Sequence, residues 1–175
     1  MATQATGIDQ ILVKFVDALA PIINMGAGGL IWYFSYLLGV IFGIRAAWKL
    51  KLHNENPQHY PLGSAVGTFL IASCLLSLPS AMDAVRETIG LTGMASNPLG
   101  YINNNAASGS IEAAVYIYVA FFGYIAFIRG LFLFNKAAEP NKQGGEIGRG
   151  ITHVVGGVMA TNLAEIVKML KDFIV

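Results

Sequence analysis

The feature that most constrains this chain is a set of three long stretches with almost no charge. They run from Gly29 to Trp48, from Pro61 to Ala81 and from Ala113 to Phe134, and their only charged residues are Arg45 and Arg129. A helix of twenty residues is about 30 Å long, which matches the hydrocarbon thickness of a bilayer. A helix in the core of a soluble protein is rarely so long without a polar face. The three stretches therefore predict membrane-spanning helices.

The composition weighs against a soluble or disordered protein. Apolar side chains make up 55% of the 175 residues, while charged side chains make up 12%. So few charges do not cover the surface of a soluble globule, and a disordered chain has the opposite composition. The single Cys74 excludes an internal disulfide, and His53, His59 and His153 lack the spacing of metal ligands. We expect no catalytic residues, no metal site and no enzymatic activity.

Two further segments are amphipathic. Residues Ile8 to Ile23 repeat apolar side chains at helical spacing, which predicts a helix lying on a membrane or against partner helices. The stretch from Ile151 to Leu170 has an apolar stripe and a polar back that includes Thr152, Thr161 and Glu165. This stretch spans a membrane only if neighbouring helices cover the side chains of Asn162 and Glu165. These two side chains line a conduit or make a contact between helices, and we favour the contact. The expected fold is all-α, with an N-terminal amphipathic helix and three to four apolar membrane-type helices.

The two halves of the chain match each other weakly. Leu38–Arg45 aligns with Phe122–Arg129, and Asp83–Arg86 aligns with Glu165–Lys168. The match predicts two repeated helical hairpins, and chance similarity between apolar sequences is the alternative. The predicted divisions are an amphipathic arm at 1–28, a first hairpin at 29–90, an exposed polar loop at 91–112 and a second hairpin at 113–175.

Basic residues concentrate around the two short connections within the hairpins. Seven of the eleven Lys and Arg residues lie there: Arg45, Lys49, Lys51, Arg129, Lys136, Lys142 and Arg149. By the positive-inside rule both connections are cytoplasmic, and the two termini and the central loop lie outside. Arg45 and Arg129 snorkel to anchor their helix ends, or each binds a lipid phosphate through its bidentate guanidinium.

Small residues recur inside the apolar stretches. Gly39 and Gly43 form one GxxxG motif, Gly63 and Gly67 form another, and Gly156-Gly157 extends the pattern. In lipid, helices associate through close van der Waals contact, which small residues allow. We therefore predict these glycines as helix-packing positions, the alternative being that membrane helices simply tolerate glycine.

Short motifs in both halves carry a family resemblance. They are Leu75-Leu76-Ser77-Leu78-Pro79-Ser80, Arg86-Glu87-Thr88-Ile89-Gly90, and His153-Val154-Val155-Gly156-Gly157 with Ala160-Thr161-Asn162. In these motifs the chain resembles the small membrane proteins of type IVB secretion and conjugation systems, namely IcmC, DotE and DotV of the Dot/Icm apparatus and TraQ and TraR of I-type conjugative plasmids. The resemblance covers most of the chain after residue 28.

The resemblance implies a subunit of a machine that moves single-stranded DNA and protein between bacterial cells. One form is a static inner-membrane platform subunit. The other, which we prefer, is a pilin that is stored in the inner membrane and polymerises into an extracellular helical pilus with bound phospholipid. The basic residues would then line the lumen, where they offset lipid phosphates or attract DNA.

This interpretation also sets the expected partners and the competing function. The partners are further copies of the chain, membrane lipid, other transfer-system proteins and DNA in transit. A small solute transporter or channel is the alternative from another class. It is disfavoured because the three apolar stretches contain no carboxylate that could couple transport to protons.

Overall fold

The computed structural model describes residues 29–91, 111–139 and 144–174, together with Gly7, Ile11, Lys14, Phe15 and Ala18 of the N-terminal arm. This part of the chain is helical and contains no strand, so the all-α prediction is confirmed. The helices are α1 (Leu30–Glu55), α2 (Leu62–Leu76), α3 (Leu78–Thr88), α4 (Ile111–Ala137), α5 (Glu146–Thr161) and α6 (Leu163–Ile174). Lys142, most of the N-terminal arm and nearly all of the predicted polar loop lie outside the described residues.

The helices form two antiparallel hairpins, α1 with α2 and α4 with α5. The hydroxyl of Ser35, early in α1, donates to the carbonyl of Leu75, late in α2, over 2.7 Å. α4 runs parallel to α1, because Phe42 stacks on Phe132 with ring centroids 5.3 Å apart and Gly67 of α2 lies against Ala138. The 56–61 connection therefore lies at the same end of the molecule as residues 138–139 and 144–145, which follow α4 and precede α5. We call this end the loop end. We call the opposite end the bend end.

A sharp break separates α2 from α3. Pro79 has no N–H group, so it cannot donate the helical hydrogen bond to the carbonyl of Leu75. The buried Ser35 hydroxyl supplies that bond instead, and the two helices meet at an angle of 101°. The prediction of one continuous helical segment from Pro61 to Ala81 is therefore wrong beyond Leu76.

The second hairpin has a similar break, which interrupts the predicted segment from Ile151 to Leu170. α5 and α6 meet at 72° on either side of Asn162. The Asn162 amide and the Thr161 hydroxyl both donate to the carbonyl of Val158, at 2.8 and 2.9 Å. The Asn162 side chain therefore stabilises the end of its own helix, and its described hydrogen bonds go to Val158 and Thr161 rather than to another helix.

Both hairpins share one plan, a long helix, a shorter partner, a break and a short amphipathic helix. This agreement supports the predicted repeat, although one aligned block is displaced. Asp83 is the sixth residue of α3, whereas Glu165 is the third residue of α6. The sequence match of these acidic residues is thus about one helical turn out of structural register.

The core lies between the hairpins and towards the bend end. It joins Leu75 and Leu78 to Tyr124, Phe127 and Val158, each at most 1% exposed. Many large apolar side chains remain exposed on the outer faces, above all on α1. α1 and residues 115–137 of α4 are long and apolar enough to cross a membrane, and the bent pairs raise the number of candidate spans to four.

Candidate functional site

An open pocket of about 1000 Å³ lies at the loop end. Its walls come from the last turns of α1, the 56–61 connection, the start of α2 and the residue Glu139 that follows α4. The side chains that give it chemical character are Arg45, Lys49, Ile44, Trp48, His59 and Tyr60. The pocket therefore combines two cations and the Glu139 carboxylate with aromatic and aliphatic surface.

The two cations reach the pocket because they lie one turn apart on α1. Residues four apart share a helix face, so Arg45 and Lys49 point to the same side, with Ile44 and Trp48 beside them. The Arg45 guanidinium carbon lies 5.5 Å from the centroid of the Phe42 ring. In the described part of the chain, the ion pairs of the loop end involve Lys51 and Lys136 but neither pocket cation.

Lys49 is held in position by a polar network that crosses three helices. Its ammonium group donates to the hydroxyls of Ser64 (3.1 Å) and Thr68 (2.9 Å) on α2. The Thr68 hydroxyl has acceptors at 2.8 Å in the Ser64 carbonyl and in the side-chain oxygen of Asn135 on α4. Thr68 is fully buried and Asn135 is 6% exposed, so these groups have little access to water as an alternative partner. The network fixes Lys49 and joins the first hairpin to the second.

The 56–61 connection is also fixed. The Nδ1 atom of His53 lies 2.6 Å from the carbonyl oxygen of Tyr60, so Nδ1 carries the proton of this hydrogen bond. The Asn56 amide ends α1 with a bond of 2.9 Å to the Leu52 carbonyl. These bonds place Tyr60 and His59 in the pocket wall. Among the described residues, no group of three His, Cys, Asp or Glu side chains is arranged to hold a metal.

The other predicted basic residues lie outside this pocket. Lys51 pairs with Glu55 on the surface of α1, and Lys136 joins α4 to α5 through an ion pair of 3.1 Å with Glu146. Arg129 and Arg149 are exposed on α4 and α5. Of the predicted basic residues that the structure describes, a set without Lys142, only Arg45 and Lys49 come together in this pocket.

The predicted packing glycines divide into two groups. A Cβ atom on Gly39 would meet Leu76 at 2.8 Å, one on Gly67 would meet Ala138 at 2.9 Å, and one on Gly157 would meet Gly123 at 2.7 Å. These three glycines do lie at close helix contacts. By contrast, Gly43, Gly63 and Gly156 have no described residue within 4 Å of that position, so the described helices do not pack against these three glycines.

The closest helix contact uses the predicted Gly157 and three glycines that the sequence analysis missed, Gly123, Gly130 and Gly150. Gly123 lies against Gly157, and Gly130 lies against Gly150 and the backbone of Val154. A Cβ atom added at Gly123, Gly130 or Gly157 would meet backbone atoms at 2.7 to 3.0 Å. The two glycines of each helix are seven residues apart, which is two helical turns. At the matching positions of the first hairpin, Gly39, Ala46, Ala65 and Ala72 are all buried. In this sequence, a seven-residue repeat of small residues therefore indicates the close helix contacts better than the GxxxG motif does.

A second polar cluster lies at the bend end. Arg86 of α3 pairs with Asp83 over 3.3 Å, but its Nε and Nη1 atoms are buried and have no hydrogen-bond partner in the described part of the chain. The Tyr124 hydroxyl is also buried without a hydrogen-bond partner among the described residues. Buried donors of this kind normally have a water or protein partner. The sequence analysis named Asp83 and Arg86 in the internal repeat, and Arg86 also in a resemblance motif, but it predicted no site at either residue.

Comparisons of the chain with protein-family models, with curated proteins and with solved structures give no match in any of the three. The resemblance to type IVB transfer proteins therefore stays a prediction.

Proposed function

We propose that this chain is a non-enzymatic membrane subunit that assembles with copies of itself. The observation that carries the proposal is the amount of apolar surface left exposed. On α1 alone, Phe34, Leu37, Ile44 and Trp48 are each more than half exposed. Soluble monomers rarely leave large contiguous apolar patches in water, whereas a bilayer or further copies of the chain would cover such a surface. With the basic loop end on the cytoplasmic side, the arrangement satisfies the positive-inside rule.

Within this class we propose a subunit of a type IVB conjugative transfer system, in the preferred form of a pilin. Support comes from the motif resemblance, from the apolar outer surface, and from the basic side chains gathered at one end of both hairpins. In a tubular assembly that end would face the lumen, with DNA or lipid phosphate beside Lys51, Lys136 and Arg149. The inner membrane and the extracellular pilus are then its two locations.

The test is electron microscopy of filaments sheared from cells that express the transfer system, with mass spectrometry of their main protein. Filaments made of this chain would support the pilin form. Protein that fractionates with the inner membrane but forms no filaments would instead support the static platform subunit. Flux of a small solute through vesicles containing only the purified chain would contradict both and support a transporter.

Glycines that make no close contact within the described chain can be used to test self-association. We expect Gly43→Leu to weaken association between copies at least about tenfold while leaving the fold of each copy intact, because nothing lies within 4 Å of the added Cβ inside one chain. Gly39→Leu is the contrasting variant, since its side chain collides with Leu76 and disrupts the hairpin itself. Cross-linking in membranes measures association, and circular dichroism in detergent measures the fold. Unchanged cross-linking of the Gly43 variant would remove this position from the interface.

A further inference from the structure

We propose that the pocket at the loop end binds the phosphodiester headgroup of one membrane glycerophospholipid per chain, with an acyl chain lying along the outer face of α1. The inference rests on the membrane placement in the proposed function, and it does not depend on pilus formation. In this proposal Arg45 and Lys49 bind the same lipid phosphate, and Arg129 binds none.

The cations are arranged to receive a phosphate. An ammonium group has three N–H donors, and Lys49 gives two of them to Ser64 and Thr68, so one remains for a ligand. Both partners are neutral hydroxyls, and the one carboxylate in the pocket lining, Glu139, acts electrostatically on Lys49, so the two cations still outnumber the negative charge there. Arg45 lies one turn away and provides a planar fork that matches phosphate geometry. Its described contact is the Phe42 ring, which orients the guanidinium without neutralising it.

An apolar path leads away from these cations along the same helix. Leu37, Ile41, Ile44 and Trp48 recur at helical spacing and are 57%, 44%, 66% and 62% exposed. Because eleven residues of helix rise about 16 Å, the path is long enough for most of an acyl chain. Ile44 and Trp48 also line the pocket, so the apolar path begins at the proposed headgroup site. Trp48 and Tyr60 at the junction are the residue types that favour the level of lipid headgroups.

The second hairpin carries no equivalent site, although its sequence aligns with the first. Arg129 corresponds to Arg45, but the residue that corresponds to Lys49 is Leu133. Ile128, the counterpart of Ile44, is buried, and Phe132, the counterpart of Trp48, stacks on Phe42. The second cation is therefore missing, although Phe122, Ile125 and Phe132 remain exposed on the same face as Arg129. The missing cation limits the expected stoichiometry to one lipid in this class of site.

The experiment compares lipid retention by matched variants. The full chain is extracted from membranes in mild detergent, and native mass spectrometry counts bound phospholipid. We expect one phospholipid per wild-type chain, at least about tenfold weaker retention in Arg45→Gln, and a further loss in Arg45→Gln/Lys49→Gln, because each replacement removes a charge-assisted hydrogen bond. Arg129→Gln is the control and should retain the lipid. Equal retention by all variants would overturn the proposal, as would a loss in the Arg129 variant that equals the loss in the Arg45 variant.

Two further binding measurements identify the ligand. Delipidated protein is offered phosphatidylglycerol or diacylglycerol in nanodiscs; preference for phosphatidylglycerol supports a phosphate site, and equal binding contradicts it. Inorganic phosphate that binds as tightly as the lipid would identify a free-phosphate site and overturn the lipid assignment. Arg45 is exposed and takes no part in the Lys49 network, so its variant tests the site even if the double variant fails to fold. Filament formation is measured separately, so failure of the pilin proposal remains distinguishable from failure of this one.

Discussion

Replacing Gly157 with alanine is expected to lower the free energy of unfolding by about 3 kcal/mol, at the upper end of the usual cost of overpacking. The new Cβ would lie 2.7 Å from the Gly123 carbonyl oxygen and 2.8 Å from the Phe127 nitrogen. Both atoms belong to the backbone of α4, so no side-chain rotation can relieve the collision. The helices must separate, and the core contacts of Val158 and Phe127 weaken with them.

The adjacent residue supplies the control. Gly156 lies on the same helix, but a Cβ added there meets nothing within 4 Å. Alanine is favoured over glycine in a helix by up to about 1 kcal/mol, so Gly156→Ala should leave stability unchanged or raise it slightly. Reversible unfolding in mixed detergent micelles, followed by circular dichroism, measures both variants. Equal stability of the two proteins would show that the α4–α5 contact is looser than the structure describes.

This pair of glycines also illustrates how far sequence reasoning reaches. GxxxG selects residues on one face of a single helix, but which face is buried depends on the partner helix. In an antiparallel hairpin the closest approaches recur every two turns, so Gly150 and Gly157 make contact while Gly156 does not. The alanines at 46, 65 and 72 fill the corresponding positions of the first hairpin, and a search for glycine alone passes over them.

The long helices α1, α2 and α4 were predictable because each follows from a long apolar run. The breaks that precede α3 and α6 were predictable to different degrees. Pro79 removes a backbone donor, and this signal was present in the sequence although the predicted segment ran through it. Asn162 carries no comparable signal. Its break depends on side-chain bonds from Asn162 and Thr161 to one carbonyl, which become visible only once the local backbone is known.

The pocket was only partly predictable. The spacing of Arg45 and Lys49 places both on one helix face, and this can be read from the sequence. The walls that distinguish these two cations from the other basic residues come from elsewhere in the chain. Tyr60 follows the turn, Ser64 begins α2, and Glu139 arrives from the end of α4. Charge counting cannot reveal such a convergence, because it depends on how the second hairpin packs on the first.

Breaking the hydrogen bonds that join the two hairpins through Thr68 should have the second large effect on the free energy of unfolding. We expect Thr68→Val to lower the free energy of unfolding by about 2 kcal/mol, since a buried polar group that loses its partner costs about 1–3 kcal/mol. Valine keeps the shape of threonine but removes the hydroxyl, which lies 2.8 Å from the Asn135 oxygen and 2.9 Å from the Lys49 nitrogen. Asn135 is then left buried without this partner, and Lys49 loses one of the two hydroxyls that orient it towards the pocket.

Two further variants separate the network from a general effect of replacing threonine. Thr152→Val removes a hydroxyl that is exposed and bonded only to the Gly148 carbonyl in its own helix, so its cost should stay within about 0.5 kcal/mol. Thr68→Ser retains the hydroxyl and should restore most of the stability lost in the valine variant. Unfolding in micelles gives the stability of each protein, and native mass spectrometry gives its bound phospholipid. Because Lys49 is positioned through Thr68, the valine variant should also retain less lipid than the serine variant. Equal values for valine and serine at position 68 would show that the Thr68 hydroxyl contributes neither to the link between the hairpins nor to the pocket.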